Sequence, residues 1–156
     1  MVIQVDSREK AHAIQKILAE FDRKNIKWFV SKLPVGDYMS LDNPKLVIDR
    51  KQNLQEICGN VVQQKKRFLA ELERANEYGI ELVILCEHGG EIRSLPDVVN
   101  WVNPRLKESP LAVSGERLFK ILSAISKKYG VSFLFCDKRS TGKRIIEILS
   151  NDGKEK

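Results

Sequence analysis

The chain has 156 residues, a length typical of one domain, and 27 basic against 21 acidic side chains give it a formal net charge of +6. Its hydrophobic content of 42% excludes a disordered or collagen-like chain, and no run approaches the ~18 apolar residues that a membrane span needs. The N-terminus lacks the apolar run of a signal peptide, so we expect a cytoplasmic protein. We expect one domain over residues 1–150 and a disordered tail over residues 151–156. The basic excess is compatible with a polyanionic partner without requiring one.

The first part of the chain predicts strands around one helix. Alternating apolar and polar residues predict a strand over Met1–Asp6. Apolar residues at helical spacing predict a helix over Arg8–Lys24, and a second strand is predicted over Lys27–Ser31. Two strand-like runs, Leu33–Ser40 and Leu46–Asp49, then flank a segment rich in Asp, Asn and Pro. This turn chemistry predicts a β-hairpin.

The remainder of the chain alternates helices with apolar strands. A helical pattern after Lys51 is interrupted by polar residues around Gly59–Lys66 and ends near Gly79. The elements that follow are a strand over Ile80–Cys86, helices over Leu95–Val102 and Glu116–Tyr129, a strand over Val131–Cys136 and a helix over Thr141–Leu149. This order indicates an α/β fold with helices on both faces of a central sheet.

The three cysteines indicate structural roles. Cys58, Cys86 and Cys136 are far apart and odd in number, and the last two each end an apolar run. Because no cysteine or histidine lies at metal-ligand spacing from another, neither a disulfide framework nor a zinc site is expected.

The predicted hairpin places two acidic residues opposite each other. A simple turn centred on Asn43 pairs Asp37 with Asp49, because each is equally distant from the centre. Side chains directly opposite on one face have Cβ atoms ~4.5–5.5 Å apart. Lys51 is two residues beyond Asp49 and projects from the same face. Two carboxylates and one ammonium group are therefore expected to converge.

Such a cluster suits a divalent cation. Two unit charges ~5 Å apart repel by roughly 3 kcal/mol at an effective dielectric constant of ~20, and a cation between them reverses the sign of that energy. Carboxylate oxygens suit Mg²⁺ or Mn²⁺, and Lys51 could orient a water or stabilise negative charge on a phosphate. The alternative is structural: Asp37 caps a turn, Asp49 and Lys51 are solvated, and a one-residue bulge breaks the assumed register.

Four segments together resemble the XPF-type nuclease domain, the excision-repair cross-complementation group four domain of the PD-(D/E)xK superfamily. They are Val5-Asp6-Ser7-Arg8-Glu9, Leu33-Pro34-Val35-Gly36-Asp37-Tyr38, Val47-Ile48-Asp49-Arg50-Lys51-Gln52 and Arg67-Phe68 followed by Glu71. The matches come in order and cover roughly residues 1–90. The resemblance implies a restriction-endonuclease-like three-layer fold, with a central mixed β-sheet flanked by helices. The chain resembles a stand-alone version of the domain, of the kind found in bacteria and their phages.

The resemblance implies a metal-dependent active site. Asp37, Asp49 and Asp6 would bind Mg²⁺, for which Mn²⁺ could substitute, and Lys51 would be catalytic. The sequence departs from the family pattern at two places. The usual Glu is Asp49, and the acid that follows the lysine is shifted to Glu56. Residues with candidate supporting roles are Arg8, Glu9, Glu56, Arg67 and Glu71.

Positions Arg67 and Glu71 lie on one face of a predicted helix. They could form an exposed ion pair worth a few tenths of a kcal/mol, or Arg67 could face the scissile phosphate. Candidate DNA contacts are the basic residues Arg50, Lys65, Lys66, Lys138, Arg139, Lys143 and Arg144. A run of basic residues also commonly forms a solvated face.

The leading hypothesis is therefore an endonuclease that acts on branched or flapped DNA in repair, recombination or replication. A homodimer, or a helicase or recombination partner, would supply further selectivity, and Leu118–Ile125 is either a dimer surface or core. The alternatives are a non-catalytic DNA-binding or scaffold subunit with the same fold, and a basic α/β protein that binds another protein.

Overall fold

A six-stranded mixed sheet lies at the centre of the structure, a computed structural model that describes residues 1–150. Its strands are β1 (Val2–Val5), β2 (Lys27–Val30), β3 (Tyr38–Ser40), β4 (Asn43–Lys51), β5 (Glu81–Cys86) and β6 (Ser132–Phe135). They lie in the order β2-β1-β3-β4-β5-β6, and β3 alone runs antiparallel to its neighbours. The tail predicted over residues 151–156 lies outside the described residues.

Helices cover both faces of the sheet. They are α1 (Gln15–Arg23), α2 (Leu54–Val62), α3 (Lys65–Glu77), α4 (Gly115–Tyr129) and α5 (Thr141–Ser150), with short 3-10 helices at Ala11–Ala13, Leu95–Asn100, Pro104–Lys107 and Lys138–Ser140. One apolar core packs against α2, α3 and α4, and the other packs against α1 and α5. Alternate residues of β4 and β5 enter the two cores, which explains the unbroken apolar runs in these strands. The three-layer α/β prediction is confirmed.

Two predicted helices differ from the observed elements. The first begins at Gln15 and not at Arg8, because the Asp6 carboxylate accepts hydrogen bonds from the Arg8 amide and guanidinium and holds that segment in a turn. The segment predicted as a helix over Leu95–Val102 is a 3-10 helix that stops at Asn100. The predicted break between α2 and α3 is confirmed.

The hairpin register is right near the site and wrong at the turn. Tyr38 faces Ile48 and Met39 faces Val47, as a turn centred on Asn43 predicts. A register shift between Met39 and Ser40 then places Ser40 opposite Asn43, so the connection shortens to two residues. β3 also begins at Tyr38 and not at Leu33, and β4 begins three residues before the predicted Leu46.

Helix α4 contributes to the core. Leu118, Leu122 and Ile125 are buried in the cluster between the sheet and the helices, so packing within the chain explains the apolar spacing of Leu118–Ile125. Among residues 1–150, no helix is both long and apolar enough to cross a membrane. The three cysteines are free, as predicted.

Candidate active site

A glycine allows Asp37 to dock against the central strand β4. Gly36 has a φ of +73°, and an added Cβ would clash with the Val47 side chain and lie 3.1 Å from the Ile48 carbonyl oxygen. The Asp37 amide donates to the Ile48 carbonyl at 2.8 Å, and the Asp37 carbonyl accepts from the Asp6 amide at 2.8 Å. The backbone of Asp37 is thereby fixed between β1 and β4.

Asp49 and Lys51 project from the end of β4 towards α2 and α3. The Lys51 ammonium nitrogen lies 3.5 Å from an Asp49 carboxylate oxygen, and both side chains are almost buried. One Asp37 carboxylate oxygen accepts a hydrogen bond from the Arg50 amide at 2.8 Å. The structure therefore brings together the two carboxylates and the ammonium group that the hairpin argument placed on one face.

The neighbouring carboxylate of Asp49 affects the pKa of Asp37. Burial and the neighbouring Asp49 charge raise the pKa of Asp37 well above its usual value. Burial lowers the pKa of Lys51, but the carboxylates around it outweigh burial, and its pKa is raised. Lys51 therefore stays protonated near neutral pH and acts as a cation and hydrogen-bond donor.

These groups lie in a cleft of about 290 Å³, which we call the acidic cleft. Its lining residues are Asp6, Arg8, Gly36, Asp37, Asp49, Lys51, Glu56, Asn60, Gln64, Arg67, Phe68 and Glu71. Asn60 and Gln64 were not among the candidates drawn from the sequence. Glu56, Asn60 and Gln64 are spaced four residues apart, and this polar stripe along one helical face was the signal that could have identified them.

Glu56 has a structural contact within this cleft. Its carboxylate accepts a hydrogen bond from the Gln52 amide at 2.7 Å, and its own amide donates to the Asn53 side chain at 2.9 Å. These bonds cap the N-terminus of α2. The acid shifted along the sequence therefore lines the cleft and also fixes the start of the helix that follows Lys51.

Helix α3 brings Glu71 and Arg67 to the cleft. Glu71 is partly buried, and burial together with the Asp49 charge raises its pKa. Arg67 is exposed. The two side chains line the same cleft and are not joined by an ion pair in the part of the chain that the structure describes.

The Asp6 carboxylate is held by hydrogen bonds from protein groups. One carboxylate oxygen accepts from the Leu33 amide at 2.7 Å, and the other accepts from the Arg8 guanidinium at 2.6 Å. Burial raises the pKa of Asp6, but the Arg8 and backbone hydrogen bonds outweigh it and lower the pKa. Both Asp6 oxygens therefore accept hydrogen bonds from protein groups, and metal binding by Asp6 stays a prediction. Arg8 serves as its partner.

Arg50 lies on the opposite face of β4. Its guanidinium pairs with Glu9 at 2.8 Å and with Glu87 at 2.6 Å, and its side chain is only 7% exposed. Tyr38 donates to Glu9 and Thr141 donates to Glu87, at 2.7 and 2.6 Å. We call these five residues the ion-pair network. The prediction that Arg50 contacts DNA is not supported, because its charge is buried and paired.

Glu87 was missed by the sequence argument. It directly follows the apolar strand β5, and its amide donates to the Lys51 carbonyl at 2.8 Å. An acid placed at the end of a buried strand, beside the strand that carries Arg50, was the signal available in the sequence.

The remaining basic candidates lie in several places. Lys65, Lys66, Lys138, Arg139 and Lys143 are exposed. Lys65 lines a separate groove with residues of α4, so it faces away from the acidic cleft. Arg144 is partly buried and lies 3.9 Å from Glu147.

The donor set of the acidic cleft fits a hydrated divalent cation. Within residues 1–150 no group of three or more His, Cys, Asp or Glu side chains is close enough to form a complete protein cage. Mg²⁺ usually keeps several waters and takes one or two carboxylates together with phosphate oxygens, and Asp37 and Asp49 would supply those carboxylates. The buried amide oxygen of Asn60 has no hydrogen-bond partner among the described residues, so a bound water would satisfy it.

Comparison with known proteins gives the family. The ERCC4 domain model matches residues 5–149, so the chain belongs to the ERCC4 domain family. XPF from Aeropyrum pernix is similar in structure, with a TM-score of 0.69 and 18% identity over 99% of this chain and 66% of that chain. XPF from Aeropyrum pernix in complex with DNA gives a TM-score of 0.68 and 19% identity over 98% and 65% of the two chains. A comparison with curated protein sequences found no match.

The chain therefore spans slightly less than two thirds of the length of these XPF chains. The structural similarity confirms the restriction-endonuclease-like three-layer fold. Membership of the ERCC4 domain family supports a nuclease function of the DNA endonuclease type.

Proposed function

We propose that this protein is a Mg²⁺-dependent endonuclease that hydrolyses phosphodiester bonds in branched or flapped DNA. One observation carries the proposal. The carboxylates of Asp37 and Asp49 lie together beside the Lys51 ammonium group, in an open cleft of an ERCC4 domain. Apolar packing does not explain this arrangement, because like charges are held together there at an energetic cost.

Each side chain has a distinct part in the proposed reaction. Asp37 and Asp49 would hold the cation, and the partly buried Glu71 adds negative charge next to them. When bound, Mg²⁺ supplies Lewis-acid stabilisation of the phosphate and activation of the attacking water. The Lys51 ammonium donates a hydrogen bond to the water or to the phosphate oxygen on which negative charge develops. Arg67 is placed to contact a phosphate from α3.

Mn²⁺ is expected to substitute for Mg²⁺, since both prefer oxygen ligands. We place the activity in DNA repair, recombination or replication, where branched DNA arises. Further selectivity would come from a second copy of the chain or from a helicase or recombination partner.

A cleavage assay tests this function. Flap, fork, four-way junction, single-stranded and linear duplex DNA are incubated with the protein in Mg²⁺, Mn²⁺ or EDTA. Cleavage is expected with either cation and not in EDTA, and it is expected to fall by about 10²-fold or more in Asp49→Asn and Lys51→Ala. Asp42→Asn and Lys27→Ala are matched controls outside the cleft and should cleave normally. Undiminished cleavage by the Asp49 and Lys51 variants would contradict the assignment.

A non-catalytic DNA-binding or scaffold subunit is the second candidate. The observation that favours it is the shifted acid Glu56, whose carboxylate caps the start of α2 by accepting from the Gln52 amide. Salt-sensitive binding of branched DNA, without metal-dependent cleavage by the unsubstituted protein, would decide for this candidate.

A further inference from the structure

A basic groove lies on the other face of the sheet from the acidic cleft. It has a volume of about 460 Å³ and is lined by His12, Ala13, Gln15, Lys16, Ile17, Glu87, Lys138 and Arg139. Three of these side chains are basic, Lys16, Lys138 and Arg139, and His12 can donate a hydrogen bond through its imidazole. All four are exposed. We call it the arm groove.

The arm groove presents uncompensated positive charge. Lys16, Lys138 and Arg139 have no carboxylate within 4 Å in the part of the chain that the structure describes. The one acid in the lining, Glu87, accepts from Arg50 with one oxygen and from Thr141 with the other. Both of its oxygens are therefore engaged beneath the groove, and the exposed charged side chains that line the groove, Lys16, Lys138 and Arg139, are cationic.

The two recesses open at the same edge of the sheet. His12 and Lys16 follow β1, and Lys138 and Arg139 follow β6, so these side chains gather where the parallel strands end. Glu87 hydrogen-bonds through its amide to Lys51, which lines the acidic cleft. In open α/β sheets, ligands bind outside the carboxyl ends of the strands, so one ligand can contact both recesses.

The side chains of adjacent β4 residues project from opposite faces of the sheet. Lys51 lines the acidic cleft, whereas Arg50 lies on the opposite face and pairs with the Glu87 that lines the arm groove. DNA duplex is stiff, with a persistence length of about 150 bp, so one straight duplex does not bend around a sheet edge from one face to the other. A branch point supplies the change of direction, because the arms of a branched molecule diverge there.

We propose that the arm groove binds the phosphate backbone of a second DNA arm while the scissile strand lies in the acidic cleft. This proposal rests on the proposed DNA endonuclease function and gives a physical origin for selectivity towards branched DNA. The edge formed by the ends of β4 and β5 then separates the two arms at the branch point. Lys16, Lys138 and Arg139 contact phosphates, which gives affinity without sequence preference.

The test replaces the three cations together. The variant Lys16→Ala/Lys138→Ala/Arg139→Ala is compared with Lys107→Ala/Arg117→Ala/Lys127→Ala, which removes the same charge from exposed positions outside both recesses. The readout is the ratio of kcat/KM on a flap to kcat/KM on a linear duplex with the same scissile sequence. We expect the first variant to lower this ratio by about tenfold or more and the control to leave it unchanged. Matched thermal unfolding curves show that both variants fold.

Binding in EDTA separates this proposal from the proposed function. The salt dependence of flap affinity, measured by fluorescence anisotropy, should lose about 2.7 from its logarithmic slope in the arm-groove variant, since each phosphate contact contributes about 0.9. If the unsubstituted protein cleaves nothing but this slope falls for the flap and not for linear duplex, the endonuclease proposal fails and the arm groove stands. If the salt-dependence slope and the flap-to-duplex cleavage ratio are the same in both triple variants, the proposal that the arm groove binds DNA is wrong, whether or not the protein is a nuclease.

Discussion

The two faces of the end of β4 treat charge in opposite ways. On one face the guanidinium of Arg50 is enclosed by two carboxylates, which are themselves held by hydroxyl groups of Tyr38 and Thr141. On the other face Asp37 and Asp49 lie together, the Lys51 ammonium nitrogen is 3.5 Å from Asp49, and the pKa of Asp37 is raised. In the first arrangement opposite charges are in direct contact, whereas in the second two like charges are held together, and we propose that a bound cation relieves their repulsion.

This difference separates a structural site from a functional one within three consecutive residues. Buried charges that are paired and hydrogen-bonded hold neighbouring strands in place, and removing one partner leaves the others uncompensated. Two carboxylates held close together, one of them with a raised pKa, are typical of a binding site, because perturbed pKa values cluster where function requires them. The contrast yields predictions that differ in kind on the two faces.

The largest effect on stability is expected at Arg50. Arg50→Ala leaves Glu9 and Glu87 buried without their partner, and breaking a buried ion pair typically costs about 3–5 kcal/mol of unfolding free energy. Urea denaturation followed by circular dichroism measures the loss. Arg23→Ala removes an exposed guanidinium with a single carboxylate partner and should change the midpoint little. Equal midpoints for the two variants would contradict the structural role of Arg50.

The largest effect on catalysis is expected at Lys51. Lys51→Ala removes the donor to the developing charge, and the loss of one such donor typically lowers kcat by about 10²–10³-fold. KM should change far less, as steady-state kinetics on a flap substrate will show. Lys27→Ala serves as the control, since it lies on the edge strand β2. A rise in KM at unchanged kcat would show that Lys51 binds DNA and does not assist the reaction.

A smaller effect with the opposite sign is expected at Asp37. Asp37→Asn should abolish cleavage yet raise the stability of the metal-free protein by roughly 1–3 kcal/mol, because it relieves repulsion from Asp49. The sign follows from the raised pKa. An acid whose pKa is higher in the folded state loses stability as pH rises through that pKa, and the asparagine lacks this loss. Thermal unfolding in EDTA from pH 5 to pH 8 measures it. An Asn variant that is less stable throughout would contradict the repulsion.

The smallest effect is expected at His88, outside both recesses. Its Nδ1 accepts a hydrogen bond from the Leu54 amide at the start of α2, and burial lowers the pKa of His88. Protonation removes that acceptor, so the stability it provides is present above pH 6.5 and is lost as pH falls towards the lowered pKa. The loss is about 1 kcal/mol, the net worth of a typical hydrogen bond. His88→Asn should reduce the change in melting temperature between pH 7.5 and pH 5.5, and the exposed His12→Asn should not.

Local patterns in the sequence were enough to predict the sheet, most helices and the approach of Asp37 to Asp49. The apolar runs of β4 and β5 and the turn chemistry between β3 and β4 set these features directly. The bulge beside Ser40 did not disturb them, since it lies on the turn side of Met39. Family resemblance supplied the catalytic interpretation.

Features that depend on contacts between residues far apart in the chain could not be predicted from local sequence patterns. Arg50 was expected at the DNA surface because the sequence does not reveal that Glu9 and Glu87 meet it from segments far away in the chain. The hydrogen bond from the Leu33 amide to Asp6 likewise arises only after folding. The late start of α1 has a different origin, because the Asp6 carboxylate accepts hydrogen bonds from Arg8 within the same local turn.

The account depends most directly on whether Asp37 and Asp49 hold a divalent cation. Titration of the protein with Mn²⁺, followed by calorimetry, measures this without any substrate. We expect binding to the unsubstituted protein, and a loss of affinity of about tenfold or more in Asp37→Asn and in Asp49→Asn, while Asp42→Asn binds normally. Mn²⁺ affinity that is the same in all four proteins would contradict the central claim that the neighbouring carboxylates of Asp37 and Asp49 are a metal site.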